Sequence, residues 1–154
     1  MSTIDEVLMQ EAIKQAKLAA AKDEVPIGAV IAHHNQIIAR AYNQVEMLKD
    51  PTAHAEMIVL TQATSQLGSK WLPECTLYVT IEPCSMCAGA LVLARIKRLC
   101  FGAFDRKAGA CGSLMNLADH PRLNHRLEVT TGIWAEECGQ MLSDFFRAKR
   151  SELN

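Results

Sequence analysis

The sequence predicts an α/β fold: a three-layer α/β/α sandwich in which helices cover both faces of a mixed five-stranded sheet. Segments with helical spacing of apolar residues alternate with short β-branched runs, in the order α-β-β-α-β-α-β-β-α. A helix separates the third strand from the fourth, and such crossover connections join parallel strands. The length of 154 residues is that of one domain, so we expect a single domain over residues 1–154.

Each element follows from a local pattern. Apolar residues at helical spacing and a high alanine content predict the first helix. Two apolar runs around a polar turn predict a β-hairpin, and β-branched and aromatic residues predict the third strand. Thr52 is a suitable N-cap for the second helix, and Gly68 is a suitable end. The expected helices are 5–21, 53–66, 85–94 and 135–151, the expected strands are 26–32, 37–42, 76–81, 98–102 and 128–133, and the expected loops include 45–51 and 103–121.

Composition and charge exclude several classes of protein. The formal net charge is −1, so a polyanionic partner would have to meet a local basic patch. The N-terminal residues lack the basic segment and apolar run of a signal peptide, and no apolar run approaches the ~20 residues of a membrane span. We therefore expect a cytoplasmic protein with no membrane partner. Its six cysteines are then expected to be thiols or metal ligands rather than disulfides.

Two stretches carry the chemistry, at residues 54–56 and 83–87. They contain His54, Cys84 and Cys87, and one imidazole with two thiols makes three ordinary zinc ligands. The two cysteines are about one helical turn apart, so both thiols can face one point. A structural zinc site has four ligands, whereas three leave a position at which a water molecule can bind and lose a proton. Glu56 is close enough to act on that water as a general acid and base.

Other interpretations of these residues carry less weight. A lone C-x-x-C is ambiguous between zinc binding and redox chemistry, but a redox dithiol would use neither His54 nor Glu56. His33 and His34 fall at the predicted hairpin turn, away from other ligands, so we expect solvated turn residues there. The remaining cysteines are expected to be packing thiols, namely Cys75, Cys100, Cys111 and Cys138.

Two polar features have open alternatives. Asn43, which ends the second strand, can offer a donor and an acceptor to a base or ribose edge, and it is equally suited to form a turn. The basic segment 147–150 suits the C-terminus of any helix, and it could also contribute to a phosphate-binding rim.

The pattern H-x-E…P-C-x-x-C is the signature of zinc-dependent nucleobase deaminases. Over nearly its whole length, the chain resembles the bacterial tRNA-specific adenosine deaminases, which belong to the cytidine/deoxycytidylate deaminase superfamily. Three blocks of this resemblance are shared in part with enzymes that deaminate guanine or cytosine, and three others look specific to the tRNA enzymes. The shared blocks are 23–30, 50–56 and 77–90, and the specific ones are 112–116, 124–126 and 144–146.

The resemblance implies a cytidine deaminase-like fold, one Zn²⁺ per subunit and conversion of the wobble adenosine of a tRNA anticodon stem-loop to inosine. His54, Cys84 and Cys87 would hold the zinc, and Glu56 would pass a proton from water to the base and then to the leaving ammonia. A homodimer is also implied, with the helix face at 86–93 and the loop at 110–117 as its interface. Around the base the implied contacts are Asn43, Ile27, Ala55, Ile81, Glu82 and Pro83, and along the flanking nucleotides they are Asp105, Lys107, Asn124, Phe145, Phe146 and Arg150.

Two other functions compete with this one. A free-base or nucleoside deaminase for guanine or cytosine would share every zinc residue but would not need the basic C-terminal helix. A non-catalytic, zinc-stabilised RNA-binding module would favour four protein ligands, and the sequence offers no fourth near the two stretches. Phe145 and Phe146 fit core packing as well as they fit stacking on bases.

Overall fold

A computed structural model describes residues 2–153; Met1 and Asn154, the ends of the predicted 1–154 domain, lie outside the described residues. The first helix opens with a capping box, in which Thr3 and Glu6 each accept a hydrogen bond from the other's backbone N–H. The helices are α1 (Ile4–Ala21), α2 (Val45–Leu48), α3 (Ala55–Leu67), α4 (Ser85–Leu93) and α5 (Ala135–Leu153), and the strands are β1 (Gly28–His33), β2 (Gln36–Tyr42), β3 (Cys75–Ile81), β4 (Arg98–Ala103) and β5 (Glu128–Thr131).

The five strands form one mixed sheet in the order β2-β1-β3-β4-β5. The β2–β1 and β1–β3 pairs are antiparallel, whereas the β3–β4 and β4–β5 pairs are parallel. The predicted mixed sheet and the predicted crossover through α4 are therefore confirmed.

Helices cover both faces of this sheet, as predicted. One core cluster packs α3 and α4 against one face, with Val59, Leu77 and Leu99 among its members. The other packs α1 and α5 against the opposite face, around Met9 and Tyr78. A Cβ on Gly28 would lie 2.1 Å from the Ala12 carbonyl oxygen, so β1 needs glycine where α1 crosses it.

The cysteines also follow the prediction. All six are free thiols, and Cys75, Cys100, Cys111 and Cys138 are buried. Within residues 2–153, we find no helix that combines the length and the hydrophobicity that a bilayer crossing needs.

Three predicted boundaries are wrong. The N-cap of α3 is His54 and not Thr52, because the Thr52 hydroxyl and N–H both donate to the Asp50 carboxylate, each at 2.8 Å. Part of the predicted loop 45–51 forms the short helix α2. Strand β5 stops at Thr131 because Gly132, with φ +83°, turns the chain away from the sheet.

Candidate active site

Three donors of the type that zinc prefers meet where α3 and α4 begin. His54 is the N-cap of α3 and Cys84 is the N-cap of α4, both with extended backbone, and Cys87 lies in the first turn of α4. The Nδ1 atom of His54 lies 3.6 Å from Cys84 Sγ and 3.5 Å from Cys87 Sγ. The structure thus brings the three predicted ligands together.

These distances fit a zinc ion. Zinc bonds of about 2.0–2.1 Å to nitrogen and about 2.3 Å to sulfur, at tetrahedral angles, place N and S about 3.6 Å apart. Among residues 2–153, the candidate ligand group at this point comprises His54, Cys84 and Cys87. Three protein ligands are the number that catalytic zinc sites use. Both cysteines lie at a helix N-terminus, where the helix dipole favours the thiolate form that binds metal.

Hydrogen bonds among the three donors shift their pKa values. A hydrogen bond with Cys87, followed in size by one with His54, lowers the pKa of Cys84 to about 3. The Cys87–Cys84 hydrogen bond raises the pKa of Cys87, and the hydrogen bond to Cys84 raises the pKa of His54. Because metal ligands must be deprotonated, a cation that binds here displaces protons from Cys87 and His54.

Glu56 lies beside the donors but outside their group. It stands in the first turn of α3, and the residue is only 3% exposed. Burial raises the pKa of Glu56 to about 7. A carboxyl group in this environment can take up and return a proton near neutral pH.

Asn43 supplies a buried acceptor that has no partner. The residue is 6% exposed, and among the described residues its Oδ1 is the one buried side-chain nitrogen or oxygen without a hydrogen bond. The Asn43 N–H donates to the Ile27 carbonyl at 3.1 Å, and the next N–H, that of Gln44, donates to Ala53 at 3.0 Å. Asn43 is thereby tied to the segment that leads into His54. An unpaired buried acceptor costs about 1–3 kcal/mol, which a donor on a substrate would remove.

The other residues predicted around the base are core or loop residues. Ala55 is fully buried and opens α3, where the first N–H groups have no acceptor within the helix. Ile27 is partly buried between the two core clusters, and Ile81 packs in the cluster with α1 and α5. The Pro83 carbonyl accepts a hydrogen bond from Ala110 at 2.9 Å. Contacts with a base stay predictions for these residues, namely Ile27, Ala55, Ile81 and Pro83.

Glu82 organises the loop that follows β4. It is 3% exposed; its Oε1 accepts from the Asp105 N–H at 2.9 Å and from the Ser113 hydroxyl, and its Oε2 accepts from the N–H groups of Cys111 and Ser113, both at 3.0 Å. A Cβ on Gly109 would lie 2.2 Å from the Glu82 Cδ, so the loop closes directly over the carboxylate. A substrate contact was predicted for Glu82, whereas its role in the loop has no local signal, because the donors follow 23–31 residues later.

The predicted nucleotide contacts are divided among three places. Phe145 lines a cavity of about 610 Å³ beside α2 and the loop after α1. Asn124 is exposed in the loop before β5 and lines neither this cavity nor the next. Four of the six predicted contacts line one cavity of about 570 Å³ between α5 and the loop after β4; these are Asp105, Lys107, Phe146 and Arg150.

Glu24 has a structural role that the sequence analysis missed. The residue is fully buried, and its carboxylate accepts from the N–H groups of Glu46 at 2.9 Å and Met47 at 2.6 Å. These donors belong to the first turn of α2, so Glu24 caps that helix from a distant part of the chain. The one available signal was an acidic residue next to an apolar strand.

Comparisons with known proteins agree with this geometry. The family model of the MafB19-like deaminases matches residues 4–150. A protein of Bacillus subtilis (strain 168) named tRNA-specific adenosine deaminase is 54% identical over 150 residues, which cover 97% of this chain and 93% of that protein. The chain belongs to the tRNA-specific adenosine deaminase family. The predicted resemblance is thus confirmed.

Solved structures agree with the fold of this deaminase family. A structure from biochemical and structural studies of A-to-I editing by tRNA:A34 deaminases, at the wobble position of transfer RNA, matches with a TM-score of 0.85 and 43% identity. The match covers 88% of this chain and 99% of that chain, and it confirms the cytidine deaminase-like fold. A guanine deaminase from Nitrosomonas europaea matches with a TM-score of 0.75, 24% identity and coverage of 91% and 83%, which shows a shared fold alone.

Proposed function

We propose that this chain hydrolyses the wobble adenosine of a tRNA anticodon loop to inosine and ammonia, in the cytoplasm. The observation that carries the proposal is the buried carboxyl group of Glu56 beside a His-Cys-Cys donor set, in a chain 54% identical to a tRNA-specific adenosine deaminase. The donor set fits one zinc ion per subunit, held by His54 Nδ1 and the thiolates of Cys84 and Cys87. When bound, zinc supplies the Lewis acidity that makes water a nucleophile at neutral pH.

Glu56 carries the protons of this reaction. Its carboxylate accepts a proton from the attacking water and donates it to N1 of adenine, which makes C6 more electrophilic while the water oxygen bonds to C6. Glu56 then moves the remaining proton of that oxygen to the C6 amino group. The C–N bond breaks, ammonia leaves, and the C6 carbonyl of inosine forms. Adenosine and water give inosine and ammonia, and Glu56 ends in the form in which it began.

Asn43 and the start of α3 hold the nucleoside. The unpaired Oδ1 of Asn43 accepts a hydrogen bond from the base or the ribose, and the N–H of Ala55, at the first position of α3, donates one to the base. Ile27, Ile81 and Pro83 form apolar walls that exclude bulk water. The free energy needed to extrude the adenine into this site is small, because bases of an anticodon loop are already partly unstacked.

The neighbouring nucleotides bind along α5. The 570 Å³ cavity combines the exposed ring of Phe146, on which a base can stack, with Arg106, Lys107 and Arg150. Its formal charge is positive, because these three cations outnumber Asp105, and a phosphate backbone favours such a groove. Phe145 and Asn124 complete the contacts from outside this cavity.

The active form is a homodimer. Large apolar side chains are exposed on the two segments predicted as the interface: Leu93 at the end of α4 is 79% exposed, and Leu114 and Met115 follow in the loop. Exposed apolar side chains of this size suit a surface that a partner covers. A second copy would bury them and would place two anticodon-loop sites on one assembly.

The test compares an anticodon stem-loop with free guanine, cytosine and adenosine, using the zinc-loaded protein and mass spectrometry of the products. We expect inosine at the wobble position and no conversion of the free compounds. Glu56→Gln should lower the rate by at least about 10²-fold, whereas Glu136→Gln, an exposed acidic position on α5, should leave it unchanged. Conversion of the free compounds alone would support the free-base alternative, and RNA binding without deamination by wild type would support the binding module.

A further inference from the structure

Two histidines at the tip of the β1–β2 hairpin lie side by side. Consecutive side chains of a strand normally point to opposite faces of the sheet. His33 ends β1, but His34 has φ +51° and Asn35 has φ +63°, and these left-handed conformations turn the chain at once. The two imidazole ring centroids are only 4.1 Å apart.

A carboxylate from another part of the chain meets this pair. β1 pairs with β3 in antiparallel register, with His33 opposite Cys75, so the residue before β3 reaches the hairpin tip. The Oε2 atom of Glu74 lies 3.7 Å from His33 Nε2 and 3.0 Å from His34 Nε2. The expectation that these histidines lie away from other ligands is therefore wrong.

The spacing of the three side chains is that of a metal site. Bonds of about 2.0–2.1 Å to nitrogen and about 2.0–2.2 Å to oxygen, at tetrahedral angles, place N and O about 3.4 Å apart. The two measured N–O distances, 3.0 and 3.7 Å, lie on either side of this value, and all three potential ligand atoms lie within 4.8 Å of one another. Small rotations of exposed side chains would bring them onto one ion.

We propose that His33, His34 and Glu74 form a second site, on the surface, for a divalent transition-metal ion such as Ni²⁺, Cu²⁺ or Zn²⁺. Two imidazoles and one carboxylate suit these ions better than Mg²⁺ or Ca²⁺, which prefer all-oxygen ligands. The side chains of His34 and Glu74 are 68% and 63% exposed, so water completes the coordination.

The charges around this site do not oppose a cation. The adjoining cavity of about 340 Å³ is also lined by Lys97, Arg98 and Glu128. Arg98 is already paired with Asp5, with 2.5 Å between Arg98 Nη2 and Asp5 Oδ2. Lys97 and Glu128 carry opposite formal charges, which leaves the carboxylate of Glu74 in excess.

The site is separate from the candidate active site. His33 is paired with Cys75 at the first residue of β3, whereas Cys84 follows the far end of that strand. Seven strand residues at about 3.3 Å each place the two ends of β3 roughly 20 Å apart. The second site is therefore independent of the proposed deamination.

The experiment titrates Ni²⁺ into protein whose His54 site is loaded with zinc, and follows binding by calorimetry and bound zinc by elemental analysis. We expect one equivalent of Ni²⁺ to bind at micromolar concentration while the zinc stays bound. In ¹H–¹⁵N spectra, the paramagnetic ion should broaden the amide signals of residues 33–36 and 74–75 first.

Removal of a residue that only supports a metal ligand already lowers metal affinity about 10–100-fold. His34→Gln and Glu74→Gln, which remove ligands, should therefore each weaken Ni²⁺ binding by at least about tenfold. His120→Gln removes a histidine from the loop before β5, outside this ligand group, and should leave the affinity unchanged. Each substitution is at a surface position, and a thermal melt checks that the fold is retained. Binding only at millimolar Ni²⁺, equal affinity in the Glu74→Gln variant, or release of zinc as Ni²⁺ binds would each overturn the proposal.

Discussion

The buried carboxylate of Glu82 should control both stability and substrate binding, and Glu82→Gln tests this. The wild-type side chain accepts four hydrogen bonds from the loop after β4, two on each oxygen. Glutamine replaces one oxygen with an NH₂ group, which cannot accept; the Ser113 hydroxyl can turn to accept from that group, but a backbone N–H cannot. With the NH₂ group at the Oε1 position, the substitution removes the hydrogen bond from the Asp105 N–H and the charge that strengthened the other three.

The magnitude follows from these contacts. A hydrogen bond to a charged group contributes about 1.5–3 kcal/mol and a neutral one about 0.5–1.5 kcal/mol, so the loss of one hydrogen bond and of the charge on the other three should lower the free energy of unfolding by about 3–5 kcal/mol. For a domain of this size each kcal/mol shifts Tm by about 2–4 °C, so Tm should fall by roughly 6–20 °C. Urea denaturation and calorimetry measure the two quantities. Glu128→Gln, at an exposed position of β5, is the matched control and should change stability by less than about 0.5 kcal/mol.

The same variant separates binding from chemistry. The loop held by Glu82 carries Asp105 and Lys107 of the 570 Å³ cavity, whereas Glu56 and the His-Cys-Cys group lie at the starts of α3 and α4. We expect KM for an anticodon stem-loop to rise about tenfold, the equivalent of 1.4 kcal/mol of lost binding, with a smaller change in kcat. A Tm within 2 °C of wild type, or a loss confined to kcat, would refute this account of Glu82.

Three further predictions concern acid stability, assembly and the metal. Hydrogen bonds from Arg98 and Tyr78 hold the pKa of Asp5 in the folded protein below its ordinary value of 3.8. Ionised Asp5 therefore stabilises the fold fully above the ordinary pKa. This stabilisation is lost as the pH falls through the lower pKa of the folded state. Asp5→Asn should cost about 2 kcal/mol in urea unfolding at pH 7 and progressively less below pH 4, and an equal cost at pH 7 and pH 2 would contradict this. Leu93→Glu should convert the proposed dimer to a monomer in light scattering, whereas Leu153→Glu, at a leucine that is also largely exposed, should not; a dimeric Leu93→Glu variant would exclude this interface. Chelation of zinc should abolish deamination and lower Tm, and added Zn²⁺ should restore both; full activity after measured zinc loss would contradict the metal assignment.

Local patterns were sufficient for the layers of the fold and for the proximity of His54, Cys84 and Cys87. Helical spacing and β-branched runs depend on neighbours a few residues apart, and the crossover rule then made β3 and β4 parallel. The Cys84–Cys87 spacing is likewise local, because one helical turn sets it. The N-cap of α3 was predicted wrongly, since Thr52 has a good capping side chain but a better partner in Asp50, two residues earlier.

The positions that the sequence analysis missed share one physical property. Glu24, Glu74 and Glu82 each act on groups far along the chain: two accept hydrogen bonds from distant backbone N–H groups, and one lies beside the histidines of another strand. Their partners become visible only after strand order and register are known, because those decide which loop reaches which carboxylate. Glu24 and Glu82 are buried, and a buried carboxylate must find a donor or a cation, since burial without one is costly. In this chain, an acidic residue next to a buried strand is therefore the position at which to search first for a loop anchor.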